Sequence, residues 1–444
     1  MIDFLILYEH RAREYEGICL LKVALESKGY SVAIEQWTQV SLLKYLRRKY
    51  KPKVILTFAL YDDFVFVPQV LSVGWNVHKV VNLQWEQITA QNSKAVEYHV
   101  PRETAVEAVH LCWGDECKIR LEKNHLKHPI LTGAIHLDFL RPAFLSYYLS
   151  REAVRKQFGL PDGNMVLYIS SFVQANMREE EIENLRKKLG DEYVKFIENV
   201  ILSRKITLEW MDTLLKKDPD CYIIYRPHPG ENLDFELQKR IDGGRFYVIP
   251  DLSVKQWILV ADYIYTWIST AIVEAFFANK NCQIIRPLPI DIEYDMPLFY
   301  DANIIQTEDQ FLSSYFKPDL PFPISRERID HYYNISSEYS FQRIVRLLEE
   351  VYTTDQYDIK HYPIKLYFKA IARIVIRMIK KVILACRITP DSIFVRWIPA
   401  LSKHLEFALY LCSKMNMELV PEAEAEEIEN KLRDIVKSVE NDSK

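Results

Sequence analysis

One histidine stands between two prolines at the end of an apolar run, and this segment carries the clearest chemistry in the chain. The run Cys221–Tyr225 predicts a buried strand that leads into Arg226, Pro227, His228, Pro229 and Gly230. Proline cannot continue a sheet and keeps the preceding residue extended, so the imidazole is presented at the carboxyl end of the strand. Ligands bind at that edge of open α/β sheets. A guanidinium and a titratable ring there favour a phosphate or a nucleotide-linked leaving group, whereas the simpler interpretation is a proline-rich turn with a solvated histidine.

Hydroxyl side chains follow two further predicted strands, 165–169 and 263–266. These side chains are Ser170, Ser171, Ser269 and Thr270. A Ser or Thr at such a point can cap the next helix, and the same amides and hydroxyls can bind a phosphate instead. Glu274 lies one turn into the helix that is predicted to follow Thr270, and its side chain faces either a bound ribose or the solvent. Three strand ends with such side chains together predict an anion site.

Strands and helices alternate along both parts of the chain that must position these residues. The predicted strands are 4–7, 31–34, 54–58, 77–83, 111–113 and 130–131, then 165–169, 222–225, 246–249, 263–266, 282–285 and 304–305. The helices predicted in the first set are 16–28, 40–49, 64–73, 104–109 and 116–124. Such alternation predicts parallel sheets covered on both faces. The fold class is therefore α/β, with two doubly wound parallel-sheet domains facing a cleft and a helical C-terminal appendage.

The predicted domain boundaries follow these elements. An N-terminal domain spans 1–140, a linker 141–163, a second α/β domain 164–325, and a closing helix 326–357. The appendage, 358–444, is basic and amphipathic at first and acidic afterwards. Neither GxGxxG nor GxxxxGK[ST] occurs in the chain, so a dinucleotide fingerprint and a P-loop are unsupported.

Composition narrows the class of protein. The 444 residues are 49% hydrophobic and 27% charged with a net charge of −4, which argues against a general nucleic-acid binder. The seven cysteines include no CxxC pair, so we expect neither a zinc site nor a disulfide framework. Asp62 and Asp63 open a predicted helix and are interpreted as an N-cap, so no catalytic metal and no cofactor are expected. The first strand begins near Met1 without a basic leader, and no apolar run approaches the roughly 18 residues of a membrane span, so we predict a cytoplasmic protein.

The appendage carries a basic stripe. Residues 360–403 contain ten Lys and Arg against one Asp. Five of these cations repeat every four residues, namely Lys365, Lys369, Arg373, Arg377 and Lys381. Like charges at this spacing repel one another on a solvated helix, and an anionic membrane surface would relieve that repulsion. We therefore predict peripheral attachment to the inner face of the cell membrane; the alternative is a basic helix packed on the acidic tail.

Several segments resemble the bacterial surface carbohydrate biosynthesis proteins. The matching segments, in order, are Tyr8–Glu14, Leu20–Leu21, Gly29–Val32, Asn82–Gln87, Trp113–Asp115, Thr132–Asp138, Arg226–Glu231 and Ser269–Ala275. The resemblance covers roughly residues 4–350, and the chain is more distantly similar to capsular Kdo transferases and CDP-glycerol glycerophosphotransferases. It departs from the pattern at Gln84, where one of two acids is missing, and at His136, where an arginine is usual.

The resemblance implies a metal-independent GT-B glycosyltransferase whose C-terminal domain holds a nucleotide-sugar donor, a cytidine nucleotide in the relatives. The donor ligands would be Arg226, His228, Pro229, Gly230, Ser269, Thr270, Glu274, Ser170 and Ser171. Transfer to a polysaccharide or lipid-linked acceptor requires a base, and the candidates are Glu86, Glu9 and His10, which follow strand ends of the first domain. Two other functions stay open: a UDP-sugar epimerase of GT-B shape, and a non-catalytic membrane-associated scaffold of polysaccharide assembly.

Overall fold

A computed structural model of the chain describes residues 2–37, 51–95, 97, 99–385 and 417–442. The chain divides into two compact units. Unit 1 comprises 1–87, 99–138 and 333–444, and unit 2 comprises 88–98 and 139–332. The C-terminal segment therefore belongs to the unit that contains the N-terminus.

Each unit is built on one six-stranded parallel sheet. The strands are β1 (Ile2–Tyr8), β2 (Val32–Gln36), β3 (Pro52–Thr57), β4 (Lys79–Asn82), β5 (Val109–Cys112), β6 (His128–Leu131), β7 (Asn164–Ile169), β8 (Cys221–Arg226), β9 (Phe246–Val248), β10 (Tyr263–Thr266), β11 (Cys282–Ile285) and β12 (Ile304–Ile305). In unit 1 the strand order is β2-β1-β3-β4-β5-β6, and in unit 2 it is β12-β11-β10-β7-β8-β9. All recorded pairs are parallel, which confirms the predicted doubly wound α/β sheets.

Helices cover both sheets. The α-helices are α1 (Arg11–Ser27), α2 (Asp63–Phe66), α3 (Gln91–Ala95), α4 (Asp115–Lys123), α5 (Ile135–Asp138), α6 (Arg151–Phe158), α7 (Glu179–Leu189), α8 (Asp191–Lys217), α9 (Phe235–Ile241), α10 (Val254–Val260), α11 (Ala271–Phe277), α12 (Glu308–Phe316), α13 (Arg326–Tyr333), α14 (Ser340–Thr353), α15 (Ile364–Ala385) and α16 (Glu422–Asp442). Single turns of 3₁₀-helix span Glu103–Glu107, Pro142–Tyr147 and Pro297–Phe299, and a π-helix spans Val67–Leu71.

The first helix begins five residues earlier than the sequence predicts, at Arg11 instead of residue 16. His10 occupies the N-cap position without a side-chain cap bond. The first amide of the helix, the N–H of Arg11, donates to the Glu418 carboxylate at 2.6 Å. Because this capping group lies 407 residues away in the chain, the local sequence pattern does not predict where the helix begins.

Two other helix predictions need correction, and one falls outside the described ranges. The predicted helix 64–73 is the short α2 followed by the π-helix, which contains Pro68. Residues 104–109 form a 3₁₀ turn and the start of β5 instead of an α-helix. Asp62 does cap α2, since its carboxylate accepts from the amides of Phe64 and Val65. The predicted helix 40–49 lies outside the described residues.

The central strands of both sheets are almost entirely buried. The side chains of β1, β3, β7 and β8 include long runs at 0% exposure, as expected for parallel strands covered on two faces. The five cysteines in the described part of the chain are free and buried, so they serve as small core residues there. The segment after β4 lies close to α1, where a Cβ on Gly17 would come within 2.8 Å of the Trp85 ring. Gly17 therefore lets Trp85 dock and sets the position of the loop that carries Glu86.

Candidate functional site

The anion-site candidates of unit 2 lie at one edge of its sheet. The last residues of three neighbouring strands are register partners: Ile169 of β7 pairs with Arg226 of β8 and with Thr266 of β10. The segments that continue these strands carry Ser170 and Ser171, then Pro227–Gly230, then Ser269 and Thr270. The structure therefore brings the predicted donor-binding segments to the common carboxyl edge, as expected for parallel strands.

His228 is exposed, and its neighbours determine which ring nitrogen carries the hydrogen. The amide of Gly230 donates to Nδ1 of His228 at 3.1 Å. In the neutral ring Nδ1 is therefore the acceptor and Nε2 bears the N–H. Partial burial lowers the pKa of His228, with the Glu231 carboxylate opposing this effect. The ring is thus set up as a neutral hydrogen-bond donor through Nε2, and Gly230 is the residue that sets the tautomer.

A buried polar network holds the loop that carries His228. Oε1 of Glu231 accepts from the Tyr225 hydroxyl at 2.5 Å and from Nε of Arg204 at 3.2 Å, while Oε2 accepts from Ser170 Oγ at 2.5 Å. The His228 amide points to the same oxygen at 3.4 Å. Both members of the Arg204–Glu231 pair are buried, and Arg204 also makes two bonds to Asp234, at 2.7 and 3.1 Å.

Glu231 is the functional residue that the sequence reasoning missed, although it ends the matching segment Arg226–Glu231. An acid next to the histidine motif is a signal in the sequence, because a carboxylate that becomes buried needs a charged partner. No local pattern, however, identifies Arg204 as that partner. The same network takes up Ser170, whose hydroxyl is buried and bonded to Glu231. In this structure Ser170 holds the sheet edge together, and its hydroxyl does not face the solvent.

The Arg226 guanidinium is held by main-chain carbonyls. It donates to the carbonyl of Pro250 at 2.7 Å and to that of Leu252 at 2.8 Å. Within the described residues no carboxylate lies within 4.0 Å of it, although Asp251 and Glu274 act on it electrostatically. Burial lowers the pKa of Arg226. Because these partners are neutral carbonyl groups, they do not neutralise the positive charge of Arg226, and this charge can attract an anion at the end of the strand.

The other hydroxyl side chains at this sheet edge differ in their hydrogen bonds to main-chain amides. Ser171 Oγ accepts from the Ile268 amide at 3.2 Å, and Ser269 Oγ accepts from the Ala271 amide at 3.2 Å. Thr270 is at the N-cap of α11 without a side-chain cap bond. Ser269, one residue before the N-cap, therefore provides the side-chain bond to the first amide of α11.

The three base candidates of unit 1 also come together. They lie in a cluster of charges at the carboxyl ends of β1 and β4, together with Arg13, Glu14, His99 and Glu418. Glu86 is ion-paired with Arg13 and lies 3.4 Å from Nε2 of His99. The Glu9 carboxylate lies 3.7 Å from Nε2 of His10, and burial raises the pKa of Glu9 against the opposing charges of His10 and Arg13. His10 lies between two carboxylates, those of Glu9 at 3.7 Å and Glu418 at 3.4 Å.

The two positions where the sequence departs from the family pattern that it resembles have structural roles in unit 1. Gln84 is fully buried with φ of 45°, a left-handed conformation that costs a non-glycine residue about 1–3 kcal/mol. Its side-chain amide donates to the His99 carbonyl at 3.0 Å and accepts from Asn82 at 3.2 Å, which stabilises this turn before Glu86.

The His136 ring packs edge-on against Trp113, with centroids 4.9 Å apart. Asp138 accepts from the amides of Ser340 and Phe341 and so caps α14.

The described part of the basic helix presents two different apolar faces. Leu366, Ala370 and Ile374 are buried, and the helix packs on the π-helix. A second stripe at helical spacing is exposed, comprising Ile364, Phe368, Ile371 and Val375 with exposed fractions of 74, 69, 42 and 48%. Lys365 and Lys369 lie beside it about 4 Å from Asp63, and the Arg373 guanidinium stacks on the Phe64 ring at 4.4 Å. The side chains of Arg377 and Lys381 lie outside the described set.

The acidic tail does not cover this basic helix in the described ranges. Instead α16 packs along α1, burying Leu432, Ile435, Val436 and Val439. Ion pairs flank this contact, with Glu424 on Arg11 and Glu429 on Lys22. Among the described helices, none is both long and apolar enough to cross a membrane. The described residues likewise hold no group of three or more His, Cys, Asp or Glu side chains arranged to bind a metal, and metal independence stays a prediction.

Neither a protein-family model nor a curated protein sequence matches this chain. Solved structures do match. The UDP-GlcNAc 2-epimerase from Methanocaldococcus jannaschii superposes with a TM-score of 0.50 at 13% identity over 79% of this chain and 100% of its own. The wall teichoic acid polymerase TagF gives 0.49 at 13% identity over 79% and 88%, and a glycosyltransferase from Rickettsia africae gives 0.46 at 10% over 80% and 99%. At these identities the likeness establishes the fold, which is the GT-B fold of two parallel-sheet domains, and the helical C-terminal segment is present as well.

Proposed function

We propose that this GT-B protein is a glycosyltransferase that moves a sugar from a nucleotide donor, a CMP-linked sugar, to a surface-polysaccharide or glycolipid precursor. The observation that carries the proposal is the carboxyl edge of the unit 2 sheet, where Arg226 ends β8 and His228 follows two residues later. A neutral donor and a cation together match a phosphate that gains negative charge as its bond to the sugar breaks. The cytidine assignment rests on the sequence resemblance.

Leaving-group stabilisation is the part of the chemistry assigned to unit 2. The Nε2–H of His228 would donate to a phosphate oxygen, and Arg226 would supply charge without needing to leave its carbonyl partners. Thr270 and Ser269 would bind a second oxygen, with Ser269 giving up its bond to the Ala271 amide. Such donors stabilise the transition state most when they are held in place before the reaction, which is what the Glu231 network does for the His228 loop.

Proton removal from the acceptor hydroxyl is the part assigned to unit 1. An inverting transfer needs one base, and Glu86, Glu9 and His10 lie in one cluster. The pairing of Glu86 with Arg13 occupies one of its carboxylate oxygens. Burial raises the pKa of Glu9, which suits a carboxylate that has to accept a proton, and His10 lies beside it at 3.7 Å.

A nucleotide screen tests the donor assignment. We expect CMP or CDP to raise the melting temperature more than UDP or GDP, because a ligand that binds only the native state stabilises it by mass action, by about 2.7 kcal/mol at 100 times its Kd. His228→Ala should abolish most of the shift, whereas His331→Ala, which changes an exposed histidine elsewhere in unit 2, should keep it. Equal shifts with every nucleotide would contradict a cytidine-specific site.

The same protein preparation separates the transferase from its two alternatives. A transferase releases free nucleotide from its donor only when an acceptor is present. An epimerase converts a UDP-sugar without any acceptor, and a scaffold shows weak nucleotide binding or none. The sequence has no DxD pattern that is followed by further acids, and we therefore expect EDTA to leave the transfer rate unchanged.

We further propose that α15 attaches the protein to an anionic membrane surface. Four large apolar side chains at helical spacing point into solvent on this helix, and they are flanked by the amino groups of Lys365 and Lys369. A helix with an exposed apolar stripe and neighbouring cations is suited to lie in the membrane interface, with the stripe among the acyl chains and the cations at the head groups. The exposed stripe is the supporting observation, since a packed structural helix buries such residues.

Sedimentation with lipid vesicles measures this attachment. Full-length protein should sediment with vesicles that contain anionic lipid, much less with neutral ones, and less at 1 M salt, where the Debye length falls to about 3 Å. Because each cation contributes about 1 kcal/mol near an anionic leaflet, the double variant K365Q/K369Q should bind about 30-fold more weakly. Phe368→Ser should weaken binding to the same vesicles, whereas K187Q/K188Q, on the exposed surface of α7, should not. Unchanged binding of both α15 variants would assign the attachment elsewhere.

A further inference from the structure

The α1 N-terminus is capped from the far end of the chain, and the capping residue also reaches a base candidate. Glu418 precedes α16 and places Oε2 2.6 Å from the Arg11 amide and Oε1 3.4 Å from Nδ1 of His10. Its main-chain carbonyl accepts from the Tyr8 hydroxyl at 3.2 Å. A carboxylate is favoured at this position because the helix N-terminus carries free amides and a positive dipole end. Glu418 is thus fixed by three contacts, and one of them is to the imidazole.

These contacts orient the His10 ring. When Nδ1 donates to Glu418, Nε2 is left with its lone pair, and this nitrogen faces the side of Glu9, 3.7 Å from its carboxylate. The His10 ring therefore lies between two carboxylates, one near each ring nitrogen. A carboxylate that fixes the tautomer of a basic histidine is the arrangement that hydrolytic triads use.

We infer that Glu418 is a positioning residue for His10, and that His10 is the base that takes the acceptor proton at Nε2. This assignment rests on the proposed transferase function. In the step, the acceptor oxygen forms its bond to the anomeric carbon while its proton passes to Nε2 of His10. The bond from the anomeric carbon to the donor phosphate breaks, and its electron pair leaves with the nucleotide. The imidazolium, held between Glu418 and Glu9, later returns the proton to water.

The docking of α16 explains why a residue so distant in sequence can serve the site. Four apolar side chains of α16 are buried, and Lys22 and Arg11 of α1 pair with Glu429 and Glu424. These contacts hold α16 against α1 independently of Glu418. Loss of the Glu418 carboxylate should therefore leave the helix pair in place and remove only the cap and the bond to His10.

Histidine NMR tests the contact without requiring any activity. With ring nitrogens labelled in the full chain, and the His10 signals identified by their loss in His10→Ala, we expect the neutral ring of His10 to carry its hydrogen on Nδ1. In Glu418→Ala, which removes the acceptor, it should shift to the Nε2–H tautomer that free imidazoles prefer, and Glu418→Asp should restore part of the Nδ1–H signal. Glu424→Ala is the matched control, since it removes an acidic contact between α16 and α1 that does not touch His10. An unchanged tautomer in Glu418→Ala overturns the inference.

Kinetics then separate this inference from the function on which it rests. With a donor and acceptor that support transfer, Glu418→Ala should lower kcat by about 10²-fold or more with little change in KM, as expected for a general base that has lost its orientation. Glu424→Ala should stay within about twofold of the starting enzyme. A shifted tautomer with unchanged kcat overturns the role of His10 as base. If the tautomer shifts but no donor supports transfer in the unaltered protein, the proposed function is wrong while the contact between Glu418 and His10 stands.

Discussion

Replacing His228 with alanine is expected to lower turnover about 10²–10³-fold and to leave the melting temperature unchanged, the loss seen when one donor to a developing anion is removed. The ring is exposed at the end of β8, so its removal leaves no cavity in the core. What is lost is the Nε2–H, which the Gly230 amide fixes by occupying Nδ1. Initial-rate measurements over a range of donor concentrations give the effect on kcat and on kcat/KM separately.

Two variants make this result specific to the hydrogen bond. His228→Gln keeps an N–H donor on a side chain of similar reach and should recover part of the lost rate. His331→Ala removes an exposed histidine of the same unit, and its rate should equal that of the unaltered protein. Near-normal turnover in His228→Ala, with a preserved melting temperature, would remove His228 from the donor site.

Replacing Glu231 with alanine is expected to destabilise the protein by about 3–5 kcal/mol, because it leaves the buried Arg204 guanidinium without one of its two carboxylate partners. The change also removes the carboxylate that accepts from the Tyr225 and Ser170 hydroxyls, which keep their mutual contact at 2.8 Å. Urea denaturation, followed by a probe in unit 2, measures the loss. The same change frees the His228 amide, so donor binding should weaken even under conditions where the protein stays folded.

The control for this effect is an acid of the same segment on the surface. Glu236 pairs with Arg240 on the exposed side of α9, and Glu236→Ala should cost no more than about 1 kcal/mol, as exposed ion pairs do. Equal destabilisation by the two substitutions would mean that the Glu231 network contributes no more than a surface pair. Glu231→Gln gives an intermediate case, since its single amide oxygen can still accept from either the Tyr225 or the Ser170 hydroxyl while the charge is removed.

The parallel arrangement of the strands and the edge that carries the candidate site follow from local sequence. Runs such as Met165–Ile169 and Cys221–Tyr225 are apolar at every position, which only a strand buried on two faces requires, and their ends are marked by Ser170 and by Pro227. Because all strands of a doubly wound sheet are parallel, the ends had to meet at one edge. The presence of His228, Ser171 and Thr270 at that edge was therefore predictable, and the register of β7, β8 and β10 agrees with it.

Tertiary structure alone decided the partners that determine what each side chain can do. Glu231 bonds to Arg204, 27 residues earlier, and Glu418 reaches His10 across 408 residues. These same contacts explain why α1 begins at Arg11 and why Ser170 is buried. Neither feature could be predicted from the sequence, because the partners are distant in the chain. Periodicity records which face of an element is buried, but it carries no information about which charged group from a distant element will meet that face. The sequence therefore determined the fold and the edge where the site lies, whereas ionisation, tautomer and capping depended on the packing of elements far apart in the chain.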